Sequence, residues 1–435
     1  MRKISCVVLC FCLIIMSFCN VFAEGENGPE IRATSAILLH EGSGRVFYEK
    51  NADAKMYPAS TTKIMTALLA VENLDMQAVL TASETAIDIE RDGSNIGILS
   101  GEEMTVEQYL YALLVASAND AANVLAEAVA GDIPSFVEKM NARAAELGMT
   151  GTHFMNAHGY HNENHYTTAR DLAKLSTQVM EHDLIRQIVS TALYEIPPTN
   201  KYKETRVLSN SNSMVNPYRN HRYVYDGAAG IKTGHTSDAG ACLVSYAQRD
   251  GVGLFSVVLN APVEYDGNYS FLDTIALFNH GFNDFSLKTI SDINEIVSVR
   301  EAKWAKGDGQ VVLSAKEPME VLLPKQYDQE KLTKEVFVEE YLEAPVKKGD
   351  VLGRLVYFYD GEEVGNVDLI AQKDVEKSTA KMVFSTLWSW IFNAWVITPL
   401  AIIVAFLLLR RYAEAKKERK ERERRRNEAR RNFYR

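Results

Sequence analysis

Residues Met382 to Leu409 form an unbroken run of 28 residues without a single charge. A helix over this run, rising 1.5 Å per residue, exceeds the roughly 30 Å hydrocarbon thickness of a bilayer, and about 20 residues suffice to span it. A buried core helix of this length so close to the C-terminus is the poorer reading. Trp388, Trp390 and Trp395 suit a membrane interface, and Pro399 is a candidate kink. Arg410 and Arg411 follow at once, and residues 410–435 hold 13 Lys/Arg against 5 Glu, a charge of +8. The positive-inside rule places such a tail in the cytoplasm. The expectation is therefore a linker over 373–381, a transmembrane helix over 382–409 and a basic cytoplasmic tail over 410–435. Everything folded must precede them.

The opposite end carries its own signal. Arg2-Lys3, an apolar run from Ile4 to Phe18 and Val21-Phe22-Ala23 read as a signal peptide over 1–23. Four of the five cysteines lie within it, so cleavage after Ala23 leaves only Cys242. A lipoprotein reading of Cys19 is weakened by bulky Phe18. With one thiol no intramolecular disulfide can form, so an exported body must be held by its core. The net charge of −10 then separates into +8 on the tail, +2 on the leader and −20 on residues 24–381. With 47% apolar and 24% charged residues, a largely disordered or collagen-like chain is excluded. The expected location is the cell membrane, single-pass, with the body outside.

Within the body, Ala33–Leu39 and Arg45–Tyr48 flank Gly42-Ser43-Gly44 as a β-hairpin. Ser60 opens an apolar run with helical spacing through Val71. Thr105 and Gln108 offer a capping box for a helix through Leu114. Ala121–Ala130 reads as a second helix ended by Gly131, and further helices are expected over Ile133–Gly148, Thr168–Ser190 and Leu272–Asn279. Strands are expected at Ala241–Ala247 and Gly253–Leu259. From about 284 to 372 short β-prone runs (Val297–Val299, Val311–Leu313, Val321–Leu323, Val336–Phe337, Val351–Tyr359, Val367–Ile370) alternate with Gly/Asp/Lys turns, the pattern of a small all-β domain.

Three short motifs follow in order: Ser60-Thr61-Thr62-Lys63, Ser117-Ala118-Asn119 and Lys232-Thr233-Gly234. Each alone is weak. Together they describe a nucleophile and its base. If Ser60 begins a helix, Lys63 lies one turn on and on the same face. The helix N-terminus supplies N–H donors for a developing oxyanion. A serine needs a base to take its proton, and a desolvated Lys close to another cation such as Lys232 is neutral enough to serve.

The trio is similar to that of penicillin-binding proteins and class A β-lactamases. Tyr57-Pro58-Ala59-Ser60-Thr61-Thr62-Lys63, Ser117-Ala118-Asn119-Asp120-Ala121-Ala122 and Gly230-Ile231-Lys232-Thr233-Gly234-His235-Thr236 together resemble the serine D-alanyl-D-alanine carboxypeptidases, the low-molecular-weight penicillin-binding proteins. Gly93-Ser94-Asn95-Ile96-Gly97, Gly101-Glu102 and Asn156-Ala157-His158-Gly159 are also similar to family segments. The resemblance covers roughly residues 30–282. It implies an α/β (α+β) transpeptidase-like catalytic domain over 24–283, with an antiparallel sheet and an all-helical subdomain. The small all-β domain over 284–372 and the transmembrane anchor fit the family's layout.

The resemblance also implies roles. Ser60 attacks the penultimate D-Ala carbonyl of a peptidoglycan stem ending in D-Ala-D-Ala, and Lys63 is the general base. Ser117 relays a proton to the leaving D-Ala amine, while Asn119 holds the substrate amide or Lys63. Lys232 and Thr233 bind the terminal carboxylate, Gly234 lets substrate lie along the strand edge, and the N–H groups of Ser60 and His235 form the oxyanion hole. No cofactor or metal is implied, and β-lactams are the expected inhibitors. Two departures stand out. Family members often carry an Arg near the substrate carboxylate where this register gives Ser270, and Ser209–Val215 lacks a Leu pair frequent there.

Other features have blander readings. His153, His158, His161 and His165 fall in a segment whose Gly159, Asn162 and Asn164 suggest a loop rather than a zinc site. Cys242 reads as a small buried apolar residue. The basic tail reads as a solvated helix with Glu418/Arg422 and Glu421/Arg425 pairs and with affinity for anionic lipid, not as a nucleic-acid arm. Two other functions compete. A β-lactamase needs a deacylating Glu, and Glu181-His182-Asp183-Leu184-Ile185 only approaches the E-x-x-L-N pattern. A non-catalytic cell-wall scaffold is disfavoured by the retention of all three motifs.

Overall fold

The hairpin around Gly42-Ser43-Gly44 is formed by β1 (Ser35–His40) and β2 (Val46–Lys50), paired antiparallel. The computed structural model describes residues 28–293, 295–391 and 394–433; the leader over 1–23 lies outside them. Three later strands, β3 (Ala228–Thr236), β4 (Gly240–Arg249) and β5 (Val252–Ala261), complete an antiparallel sheet in the order β2-β1-β5-β4-β3. Successive side chains leave a strand on opposite faces, so each strand serves two layers. Ile37, Val244, Phe255 and Val257 join the core shared with the helices. Leu38, Leu243, Leu254 and Val258 pack instead with Leu277 and Phe278 of the helix Tyr269–Asp284. β3, which carries Lys232-Thr233-Gly234, ends the sheet and among the described residues pairs only with β4.

The helices follow their local signals closely. The capping box is present: Thr105 Oγ1 accepts from Gln108 N at 3.2 Å, and Thr105 N donates to Gln108 Oε1 at 2.9 Å. Asn119–Ala130 ends at Gly131, and Ile133–Glu146 starts from an Asp132 N-cap with Pro134 in its first turn. The single helix expected over Thr168–Ser190 is instead two, Ala169–Val179 and Asp183–Ser190. The break carries no Gly or Pro. Its cause is tertiary: the Arg186 guanidinium takes the Met180 carbonyl and also pairs with Glu41, just beyond β1, at 2.5 Å.

The chain divides into two compact units, one up to Leu287 with Leu322–Tyr327, the other Lys288–Val321 with Asp328 onward. The second contains a six-stranded sheet in the order Leu332–Val338, Val351–Tyr359, Glu362–Ala371, Gln310–Ala315, Ile296–Lys303, Leu342–Glu343. The expected span over 382–409 falls on the described helices Thr379–Ile391 and Ala394–Phe433. Residues 392–393 between them lie outside the description. Among the described residues no helix is long and apolar enough to cross a membrane.

One buried ion pair braces the first unit. Glu102 accepts from Arg206 Nη1 at 2.6 Å and Nη2 at 2.9 Å, both side chains being almost wholly buried. Leu99 N and Thr199 Oγ1 also donate to Glu102, and the Arg206 guanidinium lies 3.9 Å from the Tyr202 ring centroid. Burial pushes the Glu102 carboxyl up, but Arg206 and Leu99 N outweigh it and hold it below its ordinary value. Its stabilising contribution is therefore present at neutral pH and lost as the pH falls through the lowered value. Removing one partner strands the other, and Glu102→Ala is expected to cost roughly 3–5 kcal/mol in chemical denaturation. A loss below about 1 kcal/mol would show that the pair does not brace the fold.

Candidate active site

Ser60 lies in a 3-10 turn, Ala59–Thr62, that runs directly into the helix Lys63–Asn73. The turn is tight: Ala59 sits at φ +46°, in the left-handed region that L residues seldom adopt. Pro58 O holds it by accepting from Thr61 N at 3.2 Å and from Thr61 Oγ1 at 2.7 Å. The hydroxyl of Thr62 bonds His165 Nε2 at 2.9 Å. Lys63 is wholly buried, and its Nζ donates to Ser60 Oγ at 3.0 Å and to the His158 carbonyl at 2.8 Å.

Two glycines let other segments reach this turn. A Cβ on Gly159, which has φ +87°, would lie 1.8 Å from Ala59 O. A Cβ on Gly234 would lie 3.0 Å from both Pro58 O and Ser60 N. β3 therefore passes close beside the Ser60 turn, which brings Lys232, Thr233 and His235 to the same place. Lys232 is buried and donates to Thr233 O at 3.0 Å, while Thr233 Oγ1 bonds Ser211 Oγ at 2.7 Å. His235 is exposed, paired in register with Ala241.

The middle motif precedes and opens the helix Asn119–Ala130. Ser117 is buried at φ +62°, a second left-handed L residue. Its hydroxyl has no hydrogen-bond partner among the described residues, which leaves it able to carry a proton. Asn119 N donates to Ser94 O at 2.7 Å, and its side-chain amide abuts Gly93. Asn119 makes no hydrogen bond to Lys63 among the described residues.

Electrostatics set the protonation of this cluster. Burial, and then the charge of Lys232, hold Lys63 well below the ordinary amine range. Burial and then Arg219 bring Lys232 down to about 7. His158 and His165 are each pushed down to about 3 by burial, helped by Lys63 and by His153 respectively, so both are neutral at physiological pH. The site thus holds an amine of strongly lowered proton affinity on the serine hydroxyl, beside a second amine brought down to about 7.

Several contributors had no sequence signal. The His158 carbonyl that holds Lys63 is a backbone group, although its Asn-Ala-His-Gly segment stood out. Arg219 is exposed, without an ion pair among the described residues, and is tied in by the Asn216 turn. Glu90 and Asp120 both bear on Lys63. Ser270 is engaged in a helix cap, its hydroxyl donating to Asn268 Oδ1 at 2.8 Å. Glu181 is exposed and accepts from Gln178 Nε2 at 2.8 Å. His153 and His161 lie against Asn164 O and the Tyr57 ring. Among the described residues no group of three or more His, Cys, Asp or Glu could hold a metal. Cys242 is buried on β4 opposite Gly234, with its thiol pushed up to about 11 by burial.

A buried lysine on the hydroxyl of a serine at a helix start, flanked by a sheet-edge Lys-Thr-Gly, defines a serine acyl-transfer site. A family model described as D-alanyl-D-alanine carboxypeptidase matches residues 22–263, and one described as Penicillin-binding protein 5, C-terminal domain, matches 285–377. The chain belongs to the D-alanyl-D-alanine carboxypeptidase family. It is 31% identical over 388 residues to the D-alanyl-D-alanine carboxypeptidase DacF of Bacillus subtilis (strain 168), covering 87% of this chain and 96% of that one. Penicillin binding protein 5 from Haemophilus influenzae superposes with a TM-score of 0.66 at 27% identity, over 81% of this chain and 100% of that one. The Streptomyces K15 DD-transpeptidase superposes with a TM-score of 0.54 at 31% identity, over 59% and 99%.

The Gly159 contact yields a prediction. Gly159→Ala has to push the Ser60 turn away, and a displacement near 1 Å at a reacting atom costs about a hundredfold. Ser60 acylation by a fluorescent penicillin is expected to slow by at least about that factor. Acylation at the wild-type rate would mean that the close approach does not position Ser60.

Proposed function

We propose that this protein removes the terminal D-alanine from peptidoglycan stems ending in D-Ala-D-Ala, through an acyl-enzyme on Ser60, and that penicillins acylate the same residue. The observation that carries the proposal is the 3.0 Å contact of buried Lys63 Nζ with Ser60 Oγ. In the reaction, neutral Lys63 takes the Ser60 proton as Oγ bonds the penultimate D-Ala carbonyl carbon. The Ser60 and His235 N–H groups receive the developing oxyanion. As the tetrahedral carbon collapses, the C–N bond breaks and the proton passes from Lys63 by way of Ser117 to the departing amine. Water then gives a proton to Lys63 and attacks the ester, which restores Ser60 and releases the shortened stem. Lys232, Thr233 and Arg219 offer cationic and hydroxyl partners for the terminal carboxylate, Gly234 keeps the strand edge clear, and Asn119 faces the acyl side.

A β-lactamase reading is not favoured, because the nearest sequence match to a deacylating Glu, Glu181, is exposed and bonded by Gln178. The decisive measurement is intact-protein mass spectrometry after penicillin, followed by locating the adduct. The expected results are a long-lived adduct on Ser60 and D-Ala release from a pentapeptide stem. Ser60→Ala should abolish both, and Lys63→Ala should lower acylation by about two to four orders of magnitude. Rapid penicillin turnover without an accumulating adduct would replace this reading with the β-lactamase one.

The same reading places the body outside the cell membrane, delivered by residues 1–23 and held by the run 382–409. Its support is the 28 uncharged residues followed by the +8 tail. The protein should then stay with membranes through alkaline carbonate washing and lose that association when truncated after residue 381. Release of the full chain by the wash would rule out a spanning anchor.

A further inference from the structure

The segment Ser209–Val215, marked in the sequence by the Leu pair it lacks, carries a dense set of hydrogen bonds of its own. The asparagines on either side of Ser211 are almost wholly buried, Asn210 at 1% exposed and Asn212 at 0%. Asn210 Nδ2 donates to Thr191 O at 2.8 Å and to Val189 O at 3.2 Å, and its Oδ1 accepts from Asn212 N at 2.9 Å. Asn216 Nδ2 donates to Asn210 O at 2.9 Å. Ser211 N donates to Val115 O at 3.0 Å, two residues before Ser117. The backbone at Ser211 is thus fixed on both sides and tied to the segment that carries the second motif.

From that platform the half-buried Ser211 hydroxyl meets the half-buried Thr233 hydroxyl of β3 at 2.7 Å. Among the described residues neither hydroxyl has another hydrogen-bond partner. Each hydroxyl has a single proton, so one donates and the other accepts. The direction decides what Thr233 can do. A carboxylate only accepts, and Thr233 can bind one only with its own proton. If Thr233 commits that proton to Ser211, none is left for the carboxylate. If Ser211 donates instead, the Thr233 proton is free, and the incoming hydrogen bond strengthens the outgoing one. The bond also selects one of the χ1 positions open to a threonine.

We propose that Ser211 is a positioning residue for substrate recognition: it donates to Thr233 Oγ1 and so turns the Thr233 proton onto the terminal carboxylate of the stem. This rests on Thr233 receiving that carboxylate, as proposed above, and adds a group that does not itself touch substrate. Ser211 carries no charge, so it sharpens recognition of a free carboxylate without altering the charge around Lys232. The segment that departs from the family pattern thereby gains a role in selecting stems with a free C-terminus.

The test uses the full chain and a pair of thioesters. One is an acyl-D-Ala thioester of thioglycolate, whose carboxylate stands in for that of the terminal D-Ala. The other is its methyl ester. Both release a thiol when Ser60 is acylated. Ser211→Ala is expected to lower kcat/KM about fivefold on the carboxylate compound, the response to losing one neutral hydrogen bond. On the methyl ester the same variant should stay within about twofold of wild type. Ser211→Thr, which keeps a hydroxyl, should recover about half or more of the wild-type value on the carboxylate compound. In a Thr233→Val background, which removes the partner hydroxyl and keeps its shape, Ser211→Ala should add less than about twofold. An equal loss on both thioesters overturns the proposal, because a merely loosened strand edge treats them alike. So does an undiminished loss in the Thr233→Val background, or a wild-type kcat/KM for Ser211→Ala on the carboxylate compound. If instead the wild-type protein releases no thiol and takes no penicillin adduct on Ser60, the carboxypeptidase reading itself fails, and this proposal with it.

Discussion

Two buried lysines with no carboxylate bonded to either dominate this structure. Lys63 and Lys232 are both wholly buried, and among the described residues neither forms an ion pair. Charged amines in that position are expensive, and the inexpensive solution is to give up the proton. Burial and then the charge of Lys232 push Lys63 well below its ordinary range, and burial with Arg219 brings Lys232 to about 7. Each amine still needs hydrogen-bond acceptors. The fold supplies backbone carbonyls, His158 O for one and Thr233 O for the other, which accept without adding charge. An acidic partner bonded to Lys63 would hold its proton and remove the base. The site is therefore built from oxygens with partial charge, with full charges kept at one remove.

Holding one buried lysine on a serine with a second buried lysine on the adjoining strand requires the chain to come closer than side chains allow. That requirement explains where strain and glycine fall. Ala59 and Ser117 both sit in the left-handed region, each at a cost of roughly 1–3 kcal/mol. Gly159 and Gly234 admit backbone where a methyl group would collide with the Ser60 turn. The cost is borne by a deep core around the turn, with Ile64, Met65, Ala67 and Leu68 of the following helix fully buried. The Glu102–Arg206 pair secures the segments that carry Gly97 and Thr199.

How much of this was legible in the chain depended on whether the cause was local. The Thr105/Gln108 box, the hairpin turn and the stop at Gly131 are written in neighbouring residues, and the structure has them where the spacing puts them. The three motifs were legible as chemistry because each sits on an element whose geometry repeats, a helix start or a strand. The break at Met180–His182 was not, because it is made by Arg186 reaching back and Glu41 reaching across. Arg219 was missed for the same reason: it belongs to an irregular segment, and only the packed site gives it a meaning. The 382–409 run shows the opposite limit. Its composition reads clearly, while among the described residues no helix is long and apolar enough to cross a membrane.

The acidic body poses a final question, since an anionic substrate must approach a surface carrying −20. Range decides it. At physiological ionic strength exposed charges are screened over about 8 Å, so distant acids contribute little to the potential at β3. What the substrate meets there is local. Arg219 is exposed and unpaired among the described residues, and Lys232 stands close by with its proton near balance. A carboxylate arriving at that edge favours the charged form of Lys232, which raises its affinity for a proton as the substrate binds. Binding and protonation are then linked, and a charged Lys232 lowers the proton affinity of Lys63 further.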